Sequence, residues 1–309
     1  RCKGMQNHVP PPSPALTPAQ SIERLVALLD VEALGDDRFR GHSTEAGWQR
    51  VYGGQVIAQA LMAASKTVPA DRPAHSLPDY FMRPGDPKET IVYRVERDRD
   101  GASFSSRRII ALQYGKAIFS MSASFQVEEA GLEHTTAMPA VVGPEGLMNE
   151  LELHIANADH IPESHRELWL GRDRPIEFRP VEPGDPIKPE ASAPVAHNWF
   201  RAAATVPDIG AEAQPALARC LLAYASDMTL LDTCLLPHAI AWPDPALQAA
   251  SLDHAMWFHT TPDLSQWHLF AQDSPRASGG RGINRGLVYA DDGTLVATVM
   301  QEGLIRYRA

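Results

Sequence analysis

The sequence predicts an α+β protein made of two similar halves, each with one long buried helix followed by an antiparallel β-meander. Two observations carry this prediction. Segments 52–65 and 215–240 are apolar or small on nearly every face, which is typical of a helix enclosed in a core. After each of them, segments alternate apolar and polar residues, which is typical of half-buried strands.

The composition of the 309 residues is that of a soluble globular protein. A net charge of −10, from 28 Lys+Arg against 38 Asp+Glu, disfavours nucleic acid as a partner. No run of 18 apolar residues exists, so we expect no membrane association. Cys2, Cys220 and Cys234 are too few and too scattered for a disulfide framework or a cysteine zinc site. With no apolar signal segment at the start, we expect a cytoplasmic protein. From the scattered cysteines, we also expect no metal site.

The chain divides into four parts. Proline-rich residues 1–19 are expected to form a flexible segment. The first unit spans 20–130, the linker 131–175 and the second unit 176–309. The linker is placed where proline, glycine and acidic residues weaken the periodicity.

Individual elements follow from the same patterns. The first unit begins with a short amphipathic helix over 21–30, and the buried helix over 52–65 comes next. Strands are predicted over 90–97 and 102–126, the second broken by a hairpin turn at Tyr114-Gly115-Lys116. In the second unit, the helix over 215–240 precedes strands predicted over 255–259, 267–272, 282–290 and 294–305.

The two halves can be aligned directly. Residues 107–119 lie on residues 285–297 without a gap, which matches the turn glycines Gly115 and Gly293. Any two β-hairpins align about this well, but the shared order of helix and meander favours an internal repeat.

Two polar residues fall where apolar ones are expected. Asp227 lies in the second buried helix, where a carboxylate needs donors, a positive charge or a water-filled site. It is either a general base with a raised pKa or a residue that caps or kinks the helix. Gln301 shares a strand face with Ala297 and Val299 and should point inward, suited to hold a water or a carbonyl. The alternative is a glutamine at a sheet edge.

Other motifs are weaker indications of function. Ser251-Leu-Asp253-His254 contains the residue types of a hydrolase triad, but strand alternation sends His254 to the opposite face from Ser251. The glycine cluster 278–286 fails the dinucleotide fingerprint because Arg285 occupies the third glycine position. Arg107, Arg281 and Arg285 are candidates for binding an anionic ligand, or they pair with surface acids.

Five motifs together closely resemble the acyl-CoA thioesterase II family, in order over roughly residues 20–307. They are Arg83-Pro-Gly-Asp-Pro87, Asp100-Gly-Ala-Ser-Phe-Ser-Ser-Arg-Arg108, Met121-Ser-Ala-Ser-Phe-Gln126, Ser251-Leu-Asp-His-Ala-Met-Trp-Phe-His259 and Gln301-Glu-Gly303. The resemblance implies a double-hotdog fold, two tandem units each with a long helix wrapped by an antiparallel sheet.

The resemblance also implies hydrolysis of fatty acyl-CoA to free acid and CoA, without a cofactor. Matching motifs puts the family's catalytic trio on Asp227, Ser251 and Gln301, with Asp227 activating a water that the other two hold, and no acyl-enzyme. Backbone N–H groups at Gly53 and Gly54 would polarise the thioester carbonyl. One departure is Pro78-Asp79, where the family is expected to have His-Ser.

Two other functions compete with this one. An enoyl-thioester hydratase would use the same fold but needs a paired Asp and His, and a non-catalytic acyl-CoA sensing module would leave Asp227 structural. Because exposed sheet edges favour pairing, we expect a homodimer or a dimer of dimers.

Overall fold

The computed structural model describes residues 16–44 and 49–308. Most of the flexible segment predicted over 1–19, including Cys2, lies outside the described residues. The helices are α1 (Pro18–Leu29), α2 (Gly53–Ser65), α3 (Glu150–Ala156), α4 (Glu163–Gly171) and α5 (Gln214–Ser226).

The strands form one antiparallel sheet. They are β1 (Glu32–Gly35), β2 (Arg38–Gly41), β3 (Ala74–Phe81), β4 (Ile91–Asp100), β5 (Phe104–Gln113), β6 (Lys116–Gln126), β7 (Ile176–Pro180), β8 (Val195–Ala202), β9 (Leu247–Ser251), β10 (Asp253–Phe258), β11 (His268–Ser278), β12 (Arg281–Ala290) and β13 (Leu295–Tyr307).

The strand order shows the internal repeat. From the junction of β3 with β10, it runs β3-β6-β5-β4-β2-β1 on one side and β10-β13-β12-β11-β8-β7 on the other, while β9 pairs with β13. Each half thus has the same connectivity around one long helix. The predicted architecture of two tandem helix-and-sheet units is confirmed.

The gapless alignment of the two hairpins is wrong by one residue on its first strand. Arg107 pairs with Ala123 and is buried, whereas Asn284, which pairs with Gln301, is the buried residue at the matching register position. The cause lies in the turns: residues 114–115 join β5 to β6, but residues 291–294 separate β12 from β13. A slip of one residue exchanges the two faces of a strand, so the alignment put exposed Arg285 on buried Arg107.

Helix α1 begins earlier than predicted, inside the expected flexible segment. Thr17 accepts a hydrogen bond from the Gln20 N–H while Gln20 reaches back to Thr17, and Pro18 occupies the first turn. This capping box and a proline at the first turn are both favourable for helix initiation.

Helices α2 and α5 pack against each other, and their buried residues share one hydrophobic core with those of the sheet. Gly54 allows the close approach, because a Cβ there would lie 2.5 Å from the carbonyl oxygen of Tyr224. The Tyr52 hydroxyl donates to the same oxygen at 2.8 Å. The start of α2 is thereby fixed against the last turn of α5.

Helix α5 is shorter than the predicted helix over 215–240. It ends at Ser226, with Asp227 as the C-cap and short 3-10 turns at Leu231–Cys234 and Leu236–His238. The Ser226 hydroxyl donates to the Ala223 carbonyl at 3.0 Å, a local bond of the kind that competes with the helix ladder.

Several elements were not predicted. The chain over 131–175 contains α3 and α4, and β1, β2, β3, β7, β8 and β9 lie where the periodicity is short. Among the helices of the described ranges, none has the length and apolar character needed to cross a membrane.

Candidate active site

Asp227 lies where α5 ends and α2 begins, so its carboxylate meets polar groups from three directions. Gln301 Nε2 donates to Asp227 Oδ1 at 2.6 Å. The Ser251 hydroxyl and the backbone N–H of Gly54 also bond to the carboxylate. The two sequence interpretations of Asp227 are therefore compatible, since it caps a helix and also lies at a polar centre.

The pKa of Asp227 reflects two opposing effects. Burial raises it to about 6, while the hydrogen bonds from Gln301, Gly54 and Ser251 lower it. A carboxyl with this pKa is ionised at neutral pH and is still basic enough to accept a proton.

Gln301 points inward from β13, as the alternation predicts. It is 0% exposed and shares its face with buried Ala297 and Val299. Its Nε2 donates both to Asp227 and to Ser251 Oγ, the latter at 3.1 Å, so one amide group joins the other two side chains. Its Oε1 has no hydrogen-bond partner within residues 16–44 and 49–308.

Ser251 reaches this site because the strand register changes after it. Ser251 pairs with Gly303 through β9, but Ala255 pairs with Met300 through β10, which leaves one extra residue near Leu252. Such a bulge interrupts alternation. The prediction that His254 faces away from Ser251 is therefore wrong, since both point toward the core.

A serine–histidine relay is nevertheless not formed. The ring Nε2 of His254 lies 3.0 Å from Ser226 Oγ, not at Ser251. Ser251 is a partner of Gln301 and Asp227 instead.

Gly53 and Gly54 lie against the Asp227 carboxylate. A Cβ at Gly53 would lie 2.7 Å from Asp227 Oδ2 and 3.0 Å from the ring of Phe81. The N-terminus of a helix carries partial positive charge, which suits a neighbouring carboxylate. Contact of these glycines with a substrate stays a prediction.

Arg107 has a structural role in place of the predicted ligand contact. It is 1% exposed, and its guanidinium donates to Thr67 Oγ1 and O, to the carbonyls of Arg99 and Ser106, and to Asp100. No donor remains for a ligand, because all five N–H groups are used.

Arg281 and Arg285 lie on the opposite face of β12 from the buried Asn284, away from Asp227. Arg281 pairs with Glu302 at 2.9 Å, and Arg285 pairs with Asp273 at 2.8 Å. Both side chains are exposed, which matches the alternative that they pair with surface acids.

The linker supplies groups near the site that sequence reasoning missed. Arg172 bonds to Glu150, and both are largely buried beside Tyr52 and Tyr224. The sequence around Arg172 is weakly periodic, so no pattern there predicts that this arginine packs against the site. Within the described part of the chain, no three His, Cys, Asp or Glu side chains are grouped to bind a metal ion.

Comparison with known proteins decides the family. A family model of acyl-CoA thioesterases matches residues 171–304, and one of the acyl-CoA thioesterase N-terminal domain matches residues 44–126. The chain belongs to the acyl-CoA thioesterase family. The acyl-CoA thioesterase 2 of Haemophilus influenzae is 39% identical over 287 residues, which cover 93% of this chain and 98% of that protein. Human acyl-coenzyme A thioesterase 8 is 38% identical, over 92% of this chain and 89% of its own length.

Two solved structures support the family and the fold of this chain. The acyl-CoA thioesterase II TesB2 of Mycobacterium marinum superposes with a TM-score of 0.73 at 38% identity, covering 92% of this chain and 99% of its own. A hot dog fold protein of Alicyclobacillus acidocaldarius, 18% identical, superposes with a TM-score of 0.72 over 93% of this chain and 99% of its own. The predicted family and the double-hotdog fold of this acyl-CoA thioesterase family member are confirmed.

Proposed function

We propose that this protein hydrolyses fatty acyl-CoA to free acid and CoA, with Asp227 as the general base. The observation that carries the proposal is the contact of the Asp227 carboxylate with Gln301 and Ser251 at the start of α2. A base flanked by two neutral hydrogen-bonding side chains suits the activation of a water.

In the proposed mechanism, water attacks the thioester carbonyl carbon as Asp227 removes one of its protons. The carbonyl oxygen becomes an oxyanion, which we place at the start of α2, where Gly53 and Gly54 provide the positive end of a helix dipole. The C–S bond then breaks with its electron pair on sulfur, and the proton on Asp227 passes to the CoA thiolate. Gln301 and Ser251 hold the water in line, so no acyl-enzyme is needed.

The test is the release of free CoA thiol from acyl-CoA substrates with chains of six to eighteen carbons. Wild type should turn over part of this panel, and Asp227→Asn should lose at least about 100-fold in kcat because a general base typically supplies that much. The matched control is Asp232→Asn, a partly buried carboxyl that accepts a hydrogen bond from Trp242, which should retain turnover.

Two outcomes would favour other functions. CoA binding without turnover at any chain length would favour the sensing module. Addition of water to an enoyl-CoA would favour the hydratase, although His254 is bonded to Ser226 rather than paired with Asp227.

We also propose assembly as a homodimer or a dimer of dimers. Within the described sheet, β1 and β7 are the outermost strands. Exposed strand edges are commonly covered by a partner. Light scattering at several protein concentrations tests this, and a monomer throughout would contradict it.

A further inference from the structure

The chain that follows Asp227 crosses three neighbouring strands and has no role in the proposed mechanism. This segment, residues 228–234, includes the short 3-10 turn Leu231–Cys234. Strands β11, β12 and β13 lie side by side in the sheet, and the turn contacts each of them. The segment therefore connects the end of α5 to the strands that carry one part of the candidate site.

Two glycines let segment 228–234 lie close to the sheet. Gly282 on β12 pairs directly with Gly303 on β13. A Cβ at Gly282 would lie 2.7 Å from Cys234 Cβ, and a Cβ at Gly303 would overlap the side chain of Leu231. Only glycine permits so close an approach. Alternate residues of a strand share a face, so the segment rests on the sheet beside Gln301.

A buried series of hydrogen bonds anchors the start of the same segment. Asn198 Nδ2 on β8 donates to Gln272 Oε1 on β11 at 2.9 Å, and Gln272 Nε2 donates to Thr229 Oγ1 at 2.8 Å. Asn198 is 7% exposed and Gln272 is 1% exposed. Burial of an amide is unfavourable unless the amide is hydrogen-bonded, so these contacts favour one position of Thr229.

The helix ladder alone does not fix the place of Asp227. It follows the last residue of α5, and its N–H bonds to the Ala225 carbonyl, two residues earlier. A continuing α-helix would instead use the carbonyl four residues earlier. The direction of the chain at Asp227 therefore depends on where the next residues are held. Thr229, two residues further on, has a side chain that is hydrogen-bonded to the sheet.

We propose that Gln272 is a positioning residue for Asp227, which it holds through Thr229. Asn198 orients the amide of Gln272, so that its N–H and not its oxygen faces the Thr229 hydroxyl. The anchored segment keeps Asp227 Oδ1 at 2.6 Å from Gln301 Nε2. This proposal rests on the proposed role of Asp227 as the base.

The first experiment measures the pKa of Asp227 by ¹³C NMR of aspartate-labelled protein, with Asp227→Asn assigning the signal. The matched variants are Thr229→Val, which keeps the shape of the side chain without the hydroxyl, and Thr229→Ser, which keeps the hydroxyl. The hydrogen bond from Gln301 lowers the pKa of Asp227, so a carboxylate that moves away from Gln301 has a higher pKa. Thr229→Val should raise this pKa, and Thr229→Ser should not. An unchanged pKa in Thr229→Val, or an equal rise in both variants, would overturn the proposal.

Other titratable groups near Asp227 require a control. Asp79 on β3, Tyr52 at the start of α2 and Asp232 in the 3-10 turn interact electrostatically with Asp227. Of these, Asp232 lies in the anchored segment and would move with it. The Thr229 variants are therefore repeated in an Asp232→Asn background, where their difference in the pKa of Asp227 should persist. Loss of that difference would assign the shift to Asp232 and contradict the proposal.

The second experiment compares kcat with KM. Gln272→Met, which has similar size and no amide, should lower kcat about 10- to 100-fold, as a small displacement of a catalytic group does, with KM changed much less. Because Gln272 and Thr229 act through one hydrogen bond, Gln272→Met combined with Thr229→Val should lose no more than the larger single loss. Losses that multiply in the double variant would contradict the proposal.

The control for Gln272→Met is Ser274→Ala, on the same strand. It removes another buried hydrogen bond, from Ser274 Oγ to the Ile283 carbonyl at 2.8 Å. Urea denaturation should show a loss of stability in both variants, but Ser274→Ala should keep the kcat of wild type. Wild-type kcat in Gln272→Met as well would show that Gln272 only stabilises the fold.

Failure of this proposal and failure of the proposed function give different results. If wild type releases no CoA from any substrate, the proposed function fails. The NMR titration still decides whether Thr229 and Gln272 fix the Asp227 carboxylate, because it requires no turnover.

Discussion

The two ends of the central helix pair are related by the internal repeat, but their polar groups differ in kind. Where α5 ends, the sheet presents Gln301 to the Asp227 carboxylate. Where α2 ends, Ala123 takes the register position of Gln301, and Arg107 takes that of Asn284. The end of α5 holds a partly buried carboxylate, whereas the end of α2 is filled by a cation.

The difference has a physical reason. Arg107 Nε and Nη2 donate to Thr67, just past the last residue of α2, where the helix dipole is negative and a cation stabilises it. Asp227 is a carboxylate at the corresponding end of α5, where it directly follows the last residue. The dipole of α5 disfavours this charge, and the start of α2 offsets the effect. The cation at the end of α2 is electrostatically favourable, whereas burial makes the charged form of Asp227 at the end of α5 costly, which is the property expected of the proposed base.

Substitution of Arg107 should give the largest change in stability. Arg107→Met leaves the carbonyls of Thr67, Arg99 and Ser106 without their donor in a buried space. The free energy of unfolding should fall by about 3–5 kcal/mol, because several buried acceptors lose their donor at once and each one left unpaired costs about 1–3 kcal/mol. Urea denaturation measures it.

The control for this change is Arg285→Met, whose exposed pair with Asp273 should contribute at most about 1 kcal/mol. Equal effects of the two substitutions would remove the distinction between a structural and a surface arginine.

Gly53→Ala should damage the reactive end specifically. Its methyl group would lie 2.7 Å from Asp227 Oδ2, so the carboxylate must move. A displacement near 1 Å typically lowers kcat about 100-fold. Gln214→Ala alters the first residue of α5, the equivalent helix position, and should leave kcat unchanged. If both variants lost kcat, any substitution at the first residue of a core helix would lower activity, and the effect would not be specific to the Asp227 carboxylate.

Asp227→Asn should stabilise the protein at high pH. The folded pKa of Asp227, about 6, lies above the ordinary pKa of an aspartate, 3.8, so the stability linked to its proton is present below pH 3.8 and lost as pH rises through 6. The free energy of unfolding of the variant should therefore exceed that of wild type by about 1–3 kcal/mol at pH 8. Below about pH 4, the two proteins should be equally stable. A variant less stable than wild type at pH 8 would contradict the electrostatic account.

Gln301→Leu should have the smallest effect. Gln301 holds the pKa of Asp227 down, so its removal should move the acidic limb of the pH–rate profile to higher pH. Loss of one hydrogen bond at the base should lower kcat at pH 8 by about tenfold. Ala123→Leu, at the equivalent register position, should leave the limb where it is in wild type.

Sequence patterns predicted those parts of the molecule in which periodicity is long and uninterrupted. The helix over 52–65 and the inward Gln301 follow from such patterns, and the architecture of two halves follows from their order. The resemblance supplied the place of Ser251 in the site, which alternation alone does not give.

The rest depends on local irregularities that composition does not reveal. A bulge near Leu252 brings Ser251 and His254 to one face, and a longer turn at Gly293 shifts the repeat by one residue. Likewise, α3 and α4 are short helices whose amphipathic signal is weak, and Arg172 finds Glu150 only through tertiary packing.

In the proposed reaction, water activated by Asp227 attacks the thioester directly. The most direct test is a rapid-quench single turnover in which CoA release, free acid and the intact mass of the protein are followed together. With direct attack by water, CoA and acid should appear with one rate constant, and the mass of the protein should never increase. A burst of CoA ahead of the acid, with an acyl group on a peptide that contains Asp227 or Ser251, would contradict it.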